Sequence, residues 1–543
     1  MELLRRLEAV QASRGAVDDA ALERLHQETG VPLYRLEGLR SFYPVFREIA
    51  GPRVQVQVCR DLVCRMRGGA DHCARLRARL AGREDVEVTE VSCLGRCDAA
   101  PAAVVDHRDV SGDADTLAAL ALGEAPLPQP EAPPAAPLAT DPYPAGGRSY
   151  AVLKAQASRG HGAAEDIIAA LEASGLAGLG GAAFPTAKKW HFTRLAEGGP
   201  KAVVCNADES EPGTFKDREI LERAPHLVVE GMALGALTIG ARRGIIYLRH
   251  EYQRARDLLE QAIADAYDQG ALGESVFGTD FGFHLEVFVS PGGYILGEET
   301  ALLEALEDRR GEPRNKPPFP TNVGLHAAPT LINNVETLAA VPAILAHGPD
   351  WWTQQGVGDH KGLKYVCASG DVERPGVHCL PWGTPAREML ERCGGVSGGR
   401  QLKAFSPGGA STAFLPASAL DTALDFKAMA EAGSGLGTGA MVFVAEGREL
   451  LDVVLAQVRF FRNESCGKCV PCRVGSRKAV ELVEQAQAGG AAADLPATLS
   501  ELHSTLMRTS ICGLGQVALL SLVDALERFP DEPSLAGLGR NEP

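Results

Sequence analysis

The sequence has no long apolar run and no excess of positive charge. Its most apolar stretch, residues 226–241, is interrupted by Glu230 and is shorter than the roughly 20 residues that a membrane-spanning helix needs. The N-terminus shows no apolar signal core or small-residue cleavage site. With 54 Lys and Arg against 70 Asp and Glu, the net charge is −16, which disfavours binding to a phosphate backbone. We therefore expect a cytoplasmic protein with no direct membrane insertion and no nucleic-acid partner.

Aromatic residues make up only 6% of the chain, whereas cysteine is plentiful, with 13 residues. Because disulfides are rare in the cytosol, these cysteines indicate metal ligands or reduced buried thiols. A chain of 543 residues is too long for a single hydrophobic core, and its length favours about three or four domains. The composition therefore favours a multidomain protein that carries metal centres.

The most specific cysteine pattern lies near the C-terminus. Cys466, Cys469 and Cys472 are each separated by two residues, and Cys512 follows in Ser510-Ile-Cys-Gly-Leu-Gly515. Three closely spaced thiolates can hold one face of an iron–sulfur cube while a fourth arrives from elsewhere in the fold. Structural zinc is the alternative, but zinc sites usually combine two distant Cys-x-x-Cys pairs. The spacing therefore predicts a [4Fe-4S] cluster.

Two further cysteine pairs lie nearer the N-terminus. Cys59 and Cys64 follow one alternating apolar stretch, and Cys93 and Cys97 follow another. Four thiolates from two loops can hold a [2Fe-2S] cluster. Four-cysteine zinc sites are the alternative, but they favour two intervening residues in each pair, whereas here there are four and three. Periodicity predicts a compact α/β unit around the pairs, with a helix at 71–80 and strands at 54–58, 86–91 and 102–105.

A glycine-rich stretch at 175–190 leads into basic residues. Such a loop lets a phosphate approach backbone N–H groups while a lysine neutralises its charge. It lacks the Gly-x-Gly-x-x-Gly spacing of dinucleotide-binding loops, so alone it is a weak signal that an ordinary turn also explains. The acidic segments 205–213 and 292–300, and Asn333-Asn-Val-Glu-Thr337, supply acceptors suited to ribityl, ribose or amide groups. Each alone is compatible with a solvated loop, but together they favour a nucleotide site.

Together these segments closely resemble the flavin-bearing, NADH-oxidising subunit of respiratory complex I and its relatives, over about residues 150–525. The N-terminal cysteines, in Cys93-Leu-Gly-Arg-Cys97 followed by Ala99-Ala-Pro101, resemble the thioredoxin-like ferredoxin domain of that complex's small peripheral subunit. The resemblance implies an α/β multidomain fold. We expect N-terminal helices at 1–50, a thioredoxin-like [2Fe-2S] domain at 51–121, a Pro/Ala-rich linker at 122–147, a Rossmann-like FMN- and NAD-binding domain at 148–355, a β-grasp-like domain at 356–447, and a C-terminal helical bundle holding the [4Fe-4S] cluster at 448–543.

The resemblance also implies the residues that bind the cofactors. No side-chain acid or base is expected, because hydride transfer needs only that the nicotinamide be positioned over the flavin. The family's FMN site maps to Gly178, Gly180, Gly181, Lys189, Asn206, Asp208, Tyr294, Gly297, Glu298, Asn333, Asn334 and Thr337. Glu209 is expected to be a further cofactor-binding residue. Its NAD site maps to Phe184, Phe192, Glu211, Glu299, Lys316 and Phe319.

The chain departs from the family pattern at three positions. Leu179 stands where the family usually has Arg, Ala183 where it has Gly, and Leu296 where it has Cys. The first change removes a possible anion contact. The last is expected to place an aliphatic side chain near the flavin.

Fusion of the ferredoxin and flavin segments in one chain narrows the resemblance. The fused chain is most similar to the β subunit of NAD-dependent molybdenum formate dehydrogenase. The next most similar are the diaphorase subunit of NAD-reducing [NiFe] hydrogenase and a complex I-like NADH dehydrogenase. No ferredoxin extension follows Pro543, which makes bifurcating hydrogenase relatives less expected. The implied partners are a molybdenum-containing catalytic subunit with further iron–sulfur clusters and a small [2Fe-2S] subunit. An alternative of another class is a non-catalytic iron–sulfur scaffold, which the intact Lys189, Asn206, Asp208 and Glu298 disfavour.

Overall fold

The structure, a computed structural model, describes residues 1–128, 137–143, 149–490 and 494–538. The predicted linker at 122–147 and the end of the predicted C-terminal bundle therefore lie partly outside the described residues. Among those described, no helix is both long enough and apolar enough to cross a membrane.

Three short helices begin the chain and pack on a later part of it. The amino group of Met1 forms an ion pair with Asp308 at 2.6 Å, and the buried Tyr43 hydroxyl donates to the Arg309 carbonyl at 2.5 Å. The N-terminal helices therefore complete a neighbouring domain rather than forming one alone. They are α1 (Glu2–Arg14), α2 (Asp19–Thr29) and α3 (Leu33–Phe42).

The N-terminal domain that follows is a mixed four-stranded sheet in the order β2-β1-β3-β4. Its β1 is parallel to β2, with Cys59 opposite Val91, so the loops that carry the two cysteine pairs leave the same edge of the sheet. The predicted strands and helix are present, and β4 is an additional strand that the sequence pattern did not indicate. The elements are β1 (Val54–Cys59), α4 (Leu62–Met66), α5 (Gly69–Arg79), β2 (Val86–Val91), β3 (Ala102–Val105), β4 (Arg108–Ser111) and α6 (Ala114–Leu122).

The central part of the chain, which we call the parallel-sheet domain, has four parallel strands in the order β7-β6-β5-β8. The chain moves outward from β5 to β7 and then returns to the other side of β5, so the strand order reverses between β5 and β8. Its strands are β5 (Ala202–Ala207), β6 (Arg243–Leu248), β7 (His284–Val289) and β8 (Thr330–Asn334). Its helices are α7 (Ala151–Ala157), α8 (Ala163–Ser174), α9 (Thr186–Leu195), α10 (Lys216–Arg223), α11 (Pro225–Ile239), α12 (Gln253–Asp268), α13 (Glu299–Leu306), α14 (Val335–His347) and α15 (Pro349–Thr353).

A mixed-sheet domain comes next, with five strands in the order β10-β9-β13-β11-β12. The first and last of these strands along the chain, β9 and β13, are neighbours in the sheet and run parallel. The other neighbouring strands pair antiparallel. The elements are β9 (Leu363–Gly370), β10 (Gly376–Pro381), α16 (Ala386–Arg392), β11 (Leu402–Ser406), β12 (Leu415–Pro416), α17 (Phe426–Glu431) and β13 (Ala440–Ala445).

The described C-terminal residues form helices that close over the carboxyl edge of the parallel sheet. Their core is continuous with that of the N-terminal helices and with one face of the parallel sheet. The elements are α18 (Leu450–Asn463), α19 (Val470–Gln487), α20 (Leu495–Thr509), α21 (Gly513–Val517), α22 (Leu520–Arg528) and α23 (Pro533–Ala536).

Helices α11 and α14 approach closely at Gly231. A Cβ added there would lie 2.2 Å from the Leu338 carbonyl oxygen, which is backbone and cannot rotate away. We expect Gly231→Ala to lower the unfolding temperature of this domain, because overpacking costs about 1–3 kcal/mol and exceeds the ~1 kcal/mol gained from helix propensity. Gly235→Ala is the matched control on the same helix, since its Cβ would lie 3.4 Å from Leu331 Cδ2. Scanning calorimetry that gives equal melting temperatures for the two variants would contradict this packing.

Candidate active site

A cavity of about 300 Å³ lies at the carboxyl edge of the parallel sheet, where the strand order reverses between β5 and β8. Ligands of open α/β sheets bind in the crevice at such a switch point. Its volume falls within the range of about 300–1,000 Å³ typical of small-molecule and cofactor sites. The sequence-predicted residues that line it are Gly180, Asn206, Asp208, Glu209, Glu211, Tyr294, Gly297, Glu298, Asn334 and the predicted cluster ligand Cys512.

Glycine at position 180 lets the predicted phosphate loop lie against β8. A Cβ at Gly180 would lie 2.9 Å from Asn334 Cβ. Asn334 cannot easily move, because its amide donates to Asp217 at 2.6 Å while its side-chain oxygen caps α14. The neighbouring Leu179 is buried, and its backbone N–H donates to Thr337 Oγ1 at 2.9 Å. The loop is thus fixed through its own backbone to the first turn of α14.

Three carboxyl groups form one wall of the cavity. Asp208 accepts from Ser210 at 2.6 Å and from Ser290 at 2.8 Å, and burial raises its pKa to about 6. Burial also raises the pKa of Glu209 and of Glu211. The Glu211 carboxylate accepts from the Tyr294 hydroxyl at 2.6 Å and from the Ser411 N–H at 2.7 Å. The wall is therefore a set of oriented acceptors whose charge is costly to bury.

The sequence did not indicate several residues that complete the cavity. Lys216 is buried and supplies a cation, with Nζ 2.6 Å from Asp217 Oδ1 and 3.0 Å from Glu336 Oε2. The mixed-sheet domain contributes Ser411 and Thr438 across the cavity from β5. Nothing local in the sequence Gly409-Ala-Ser411 indicates which site this turn faces. The lining residues missed are Ser210, Thr214, Lys216, Asp217, Ile295, Ser411, Thr438, Gly513, Leu514 and Val517.

The remaining predicted residues do not line the described cavity, and several of them contact its wall from other directions. Asn333 and Thr337 support it from behind, Asn333 by accepting from Trp190 Nε1 at 2.9 Å. Lys316 joins the cavity wall from outside through ion pairs to Glu298 at 2.8 Å and Glu299 at 2.9 Å. Lys189 donates to the Ile332 carbonyl at 3.1 Å, and burial lowers its pKa. The others, Gly178, Gly181, Phe184, Phe192, Glu299 and Phe319, are likewise absent from the described lining.

The three predicted phenylalanines are solvent-exposed rather than packed in a core. Phe184 is 43% exposed, Phe192 49% and Phe319 53%. Exposed aromatic rings are available to stack on a planar ligand.

The side chain of Leu296 does not lie where the sequence predicts it. Its side chain is buried and faces Gly311, where an added Cβ would lie 2.1 Å from Leu296 Cδ2. It is not among the residues that line the described cavity. The local reason is a short 3-10 turn over 294–297, which directs Tyr294, Ile295 and Gly297 to the cavity and Leu296 into the core.

A second, smaller cavity brings the four C-terminal cysteines together. Cys466, Cys469, Cys472 and Cys512 all line it, and Cys512 also lines the larger cavity. Burial raises the pKa of the Cys472 thiol to about 12 and that of Cys512 to about 11. Thiolates here therefore need a bound cationic centre, which the irons of a cluster supply.

The N-terminal cysteines Cys59, Cys64, Cys93 and Cys97 are buried together. The sulfurs of Cys93 and Cys97 are 3.9 Å apart. The Gly95 N–H donates to Cys93 Sγ at 3.4 Å, and the Ala102 N–H donates to Cys64 Sγ at 3.3 Å. Backbone N–H groups directed at sulfur are typical of iron–sulfur sites, so this loop set fits the predicted two-iron cluster.

One carboxylate connects these sites. Glu464, two residues before Cys466, accepts from the Ser92 hydroxyl beside Cys93. Its other oxygen accepts from the Tyr294 N–H at 2.8 Å. The N-terminal cysteine loop, the cavity wall and the C-terminal cysteine loop therefore share one half-buried contact.

Comparison with known families identifies the same three regions. A model described as the Nuo51 FMN-binding domain matches residues 171–343, one for the NADH-ubiquinone oxidoreductase-F iron-sulfur binding region matches 452–534, and one for thioredoxin-like [2Fe-2S] ferredoxin matches 1–121. These matches confirm the predicted fold class and the predicted FMN, NAD, [4Fe-4S] and [2Fe-2S] cofactors.

Individual proteins are similar to this chain over most of its length. The second F-type subunit of NADH-quinone oxidoreductase from Rhizobium meliloti is 43% identical over 72% of this chain and 92% of its own length. NADP-reducing hydrogenase subunit HndC of Solidesulfovibrio fructosivorans is 40% identical over 68% of this chain and 75% of its own length. A chain of the NAD+-reducing [NiFe]-hydrogenase crystal structure in the air-oxidized state is 32% identical, with a TM-score of 0.86, and the match covers 98% of this chain and 93% of that one.

The close approach at Gly180 gives a test of the cavity. Gly180→Ala should lose most of its bound FMN, because the new methyl group displaces the loop from Asn334 and into the cavity. Gly162→Ala is the control, since it lies outside the predicted FMN site and its Cβ would meet no atom within 4 Å. FMN released by denaturation and iron per chain are to be measured for both variants. Retention of FMN by Gly180→Ala, or equal loss in both, would show that the flavin is held elsewhere.

Proposed function

This chain belongs to the family of F-type subunits of NADH-quinone oxidoreductase, and from that membership we propose that it is the diaphorase subunit of a multi-subunit oxidoreductase. It transfers electrons between NADH and a partner catalytic subunit. The observation that carries the proposal is the position of Cys512, which lines both the larger cavity and the cavity of the four C-terminal cysteines. A flavin site and a cluster site that share a wall residue suit direct electron transfer.

Bound FMN supplies the conversion between a two-electron hydride and the single electrons that iron–sulfur clusters carry. The chain's own residues hold the cofactor. Lys216 places a buried cation at the cavity wall, while Asn206 and Asp208 offer polar groups to ribityl hydroxyls. Glu211 is kept in one orientation by Tyr294 and Ser411. A wall preorganised in this way binds a polar cofactor without reorganising.

We assign NAD binding to residues at the mouth of the same cavity. Phe184 and Phe319 offer exposed ring faces, and Glu299 and Lys316 form an ion pair at 2.9 Å that connects to Glu298 in the wall. Glutamate oxygens accept from ribose or amide groups, and the Lys316 ammonium attracts the pyrophosphate. These residues orient the dinucleotide, and none is needed as an acid or base.

We also propose which partner subunit exchanges electrons with this chain. The fused domain arrangement favours an NAD-dependent formate dehydrogenase in the cytoplasm, with a molybdenum-containing catalytic subunit and a small [2Fe-2S] subunit. A second candidate is the diaphorase subunit of an NAD-reducing [NiFe] hydrogenase, favoured by likeness to that solved structure over 98% of this chain. In either complex, the partial exposure of Cys466 and Cys469 puts the cluster near a surface where the partner can dock.

The activity is tested by reduction of ferricyanide with NADH. We expect Lys316→Met to raise KM for NADH about tenfold with kcat and FMN content unchanged, because a charge-assisted hydrogen bond contributes about 1.5–3 kcal/mol. Lys427→Met is the control, since that side chain is 85% exposed and lies in another domain. A wild-type chain that holds FMN and iron but shows no activity would instead support the non-catalytic scaffold.

The partner is tested by purifying the chain with its natural subunits and measuring metals. Molybdenum with formate-dependent NAD+ reduction is the expected result. Recovery of nickel without molybdenum, with hydrogen-dependent NAD+ reduction, would replace the first candidate with the second.

A further inference from the structure

Two arginines of the parallel-sheet domain hold the cysteine loop of the N-terminal domain. Arg249 follows β6, and its Nη2 donates to the Cys93 carbonyl at 2.6 Å. Arg218 lies in α10, and its Nη1 donates to the Gly95 carbonyl at 2.5 Å. The loop is thereby fixed by groups from outside its own domain.

The two arginines differ in how their charge is balanced. Arg218 forms an ion pair with Asp98 at 2.8 Å, so its partner lies on the N-terminal domain beside the loop. Arg249 is paired at 2.8 Å with Glu251, which lies on its own side of the interface. The guanidinium is the member of the Arg249–Glu251 pair that contacts the Cys93 backbone, whereas the buried Asp61 places a carboxyl group near Cys93 from within the N-terminal domain.

Burial makes this charge effective. Arg249 is only 2% exposed, and a guanidinium does not lose its proton in proteins. Charges interact more strongly in such a low-dielectric environment than in water. Reduction of an iron–sulfur cluster adds negative charge, so a nearby fixed cation favours the reduced state and raises the reduction potential.

Arg249 also reaches the larger cavity. Its Nη1 donates to the carbonyl of Glu209, a residue of the cavity wall. One buried side chain therefore contacts the backbone of a predicted cluster ligand and the backbone of the flavin site. Its planar fork can make these contacts together, whereas a lysine would offer only a point charge.

We propose that Arg249 is a positioning residue that raises the reduction potential of the N-terminal [2Fe-2S] cluster. The potential of this cluster thereby depends on docking of the N-terminal domain against the parallel-sheet domain. The inference goes beyond the diaphorase function and is independent of which partner subunit the chain serves.

The test is an EPR-monitored redox titration of the full chain with dithionite, which requires neither NADH oxidation nor a partner. Arg249→Gln should lower the midpoint potential of the [2Fe-2S] cluster by about 59 mV, equivalent to a tenfold change in the ratio of oxidised to reduced cluster for one electron. The [4Fe-4S] cluster in the same sample should not shift. Arg249→Lys, which keeps the charge, should shift the potential less than Arg249→Gln does.

A variant that leaves Arg249 intact is expected to shift the [2Fe-2S] potential in the opposite direction. Glu251→Gln removes the balancing carboxylate, so the [2Fe-2S] potential should rise. Arg256→Gln is the control, because Arg256 is 39% exposed and pairs with Asp257 on the surface of α12, and it should leave both potentials unchanged.

An unchanged [2Fe-2S] potential in Arg249→Gln, or an equal shift of both clusters, would overturn the proposal. If Arg249→Gln loses the two-iron cluster, as iron analysis would show, Glu251→Gln decides the matter. A higher potential in that variant supports the proposal, and an unchanged or lower potential overturns it.

Discussion

The parallel alignment of β5 with β6 and β8 determines where each part of the site lies. Parallel strands end at the same edge of a sheet, so Asn206, Asp208 and Asn334 meet there although long stretches of chain separate them. The reversal of strand order between β5 and β8 opens the crevice that becomes the cavity. The C-terminal helices close over this edge and bring Cys512 into the cavity wall. The larger cavity and the C-terminal cysteines are therefore neighbours because of sheet topology.

The second constraint is the burial of charge between domains. Arg249, Arg218 and Glu464 each reach across to the N-terminal cysteine loop, and none of the contacts would form if that domain stood alone. An uncompensated buried charge is costly, so undocking would leave these groups to be solvated again. The N-terminal domain is for this reason held in one arrangement relative to the cofactor sites.

Much of this organisation is visible in the sequence, because its signals are local. The cysteine spacings and the alternating strands at 54–58, 86–91 and 102–105 depend on neighbours in the chain, and the structure has strands there. Residues that act through distant contacts were missed. Ser411 and Thr438 meet the loop that follows β5 only after the mixed-sheet domain has folded, and Lys216 and Arg249 look like surface cations until burial is known. Leu296 was expected near the flavin, but a short turn directs it to Gly311 instead.

In the proposed function, the larger cavity and the C-terminal cysteines form one electron-transfer unit. The most direct measurement is anaerobic reduction of the full chain by NADH, followed at low temperature by EPR. The shared position of Cys512 predicts that NADH alone produces the signal of a reduced [4Fe-4S] cluster as the flavin absorbance falls. Loss of flavin absorbance with no cluster signal, in a chain shown to contain its iron, would contradict the claim.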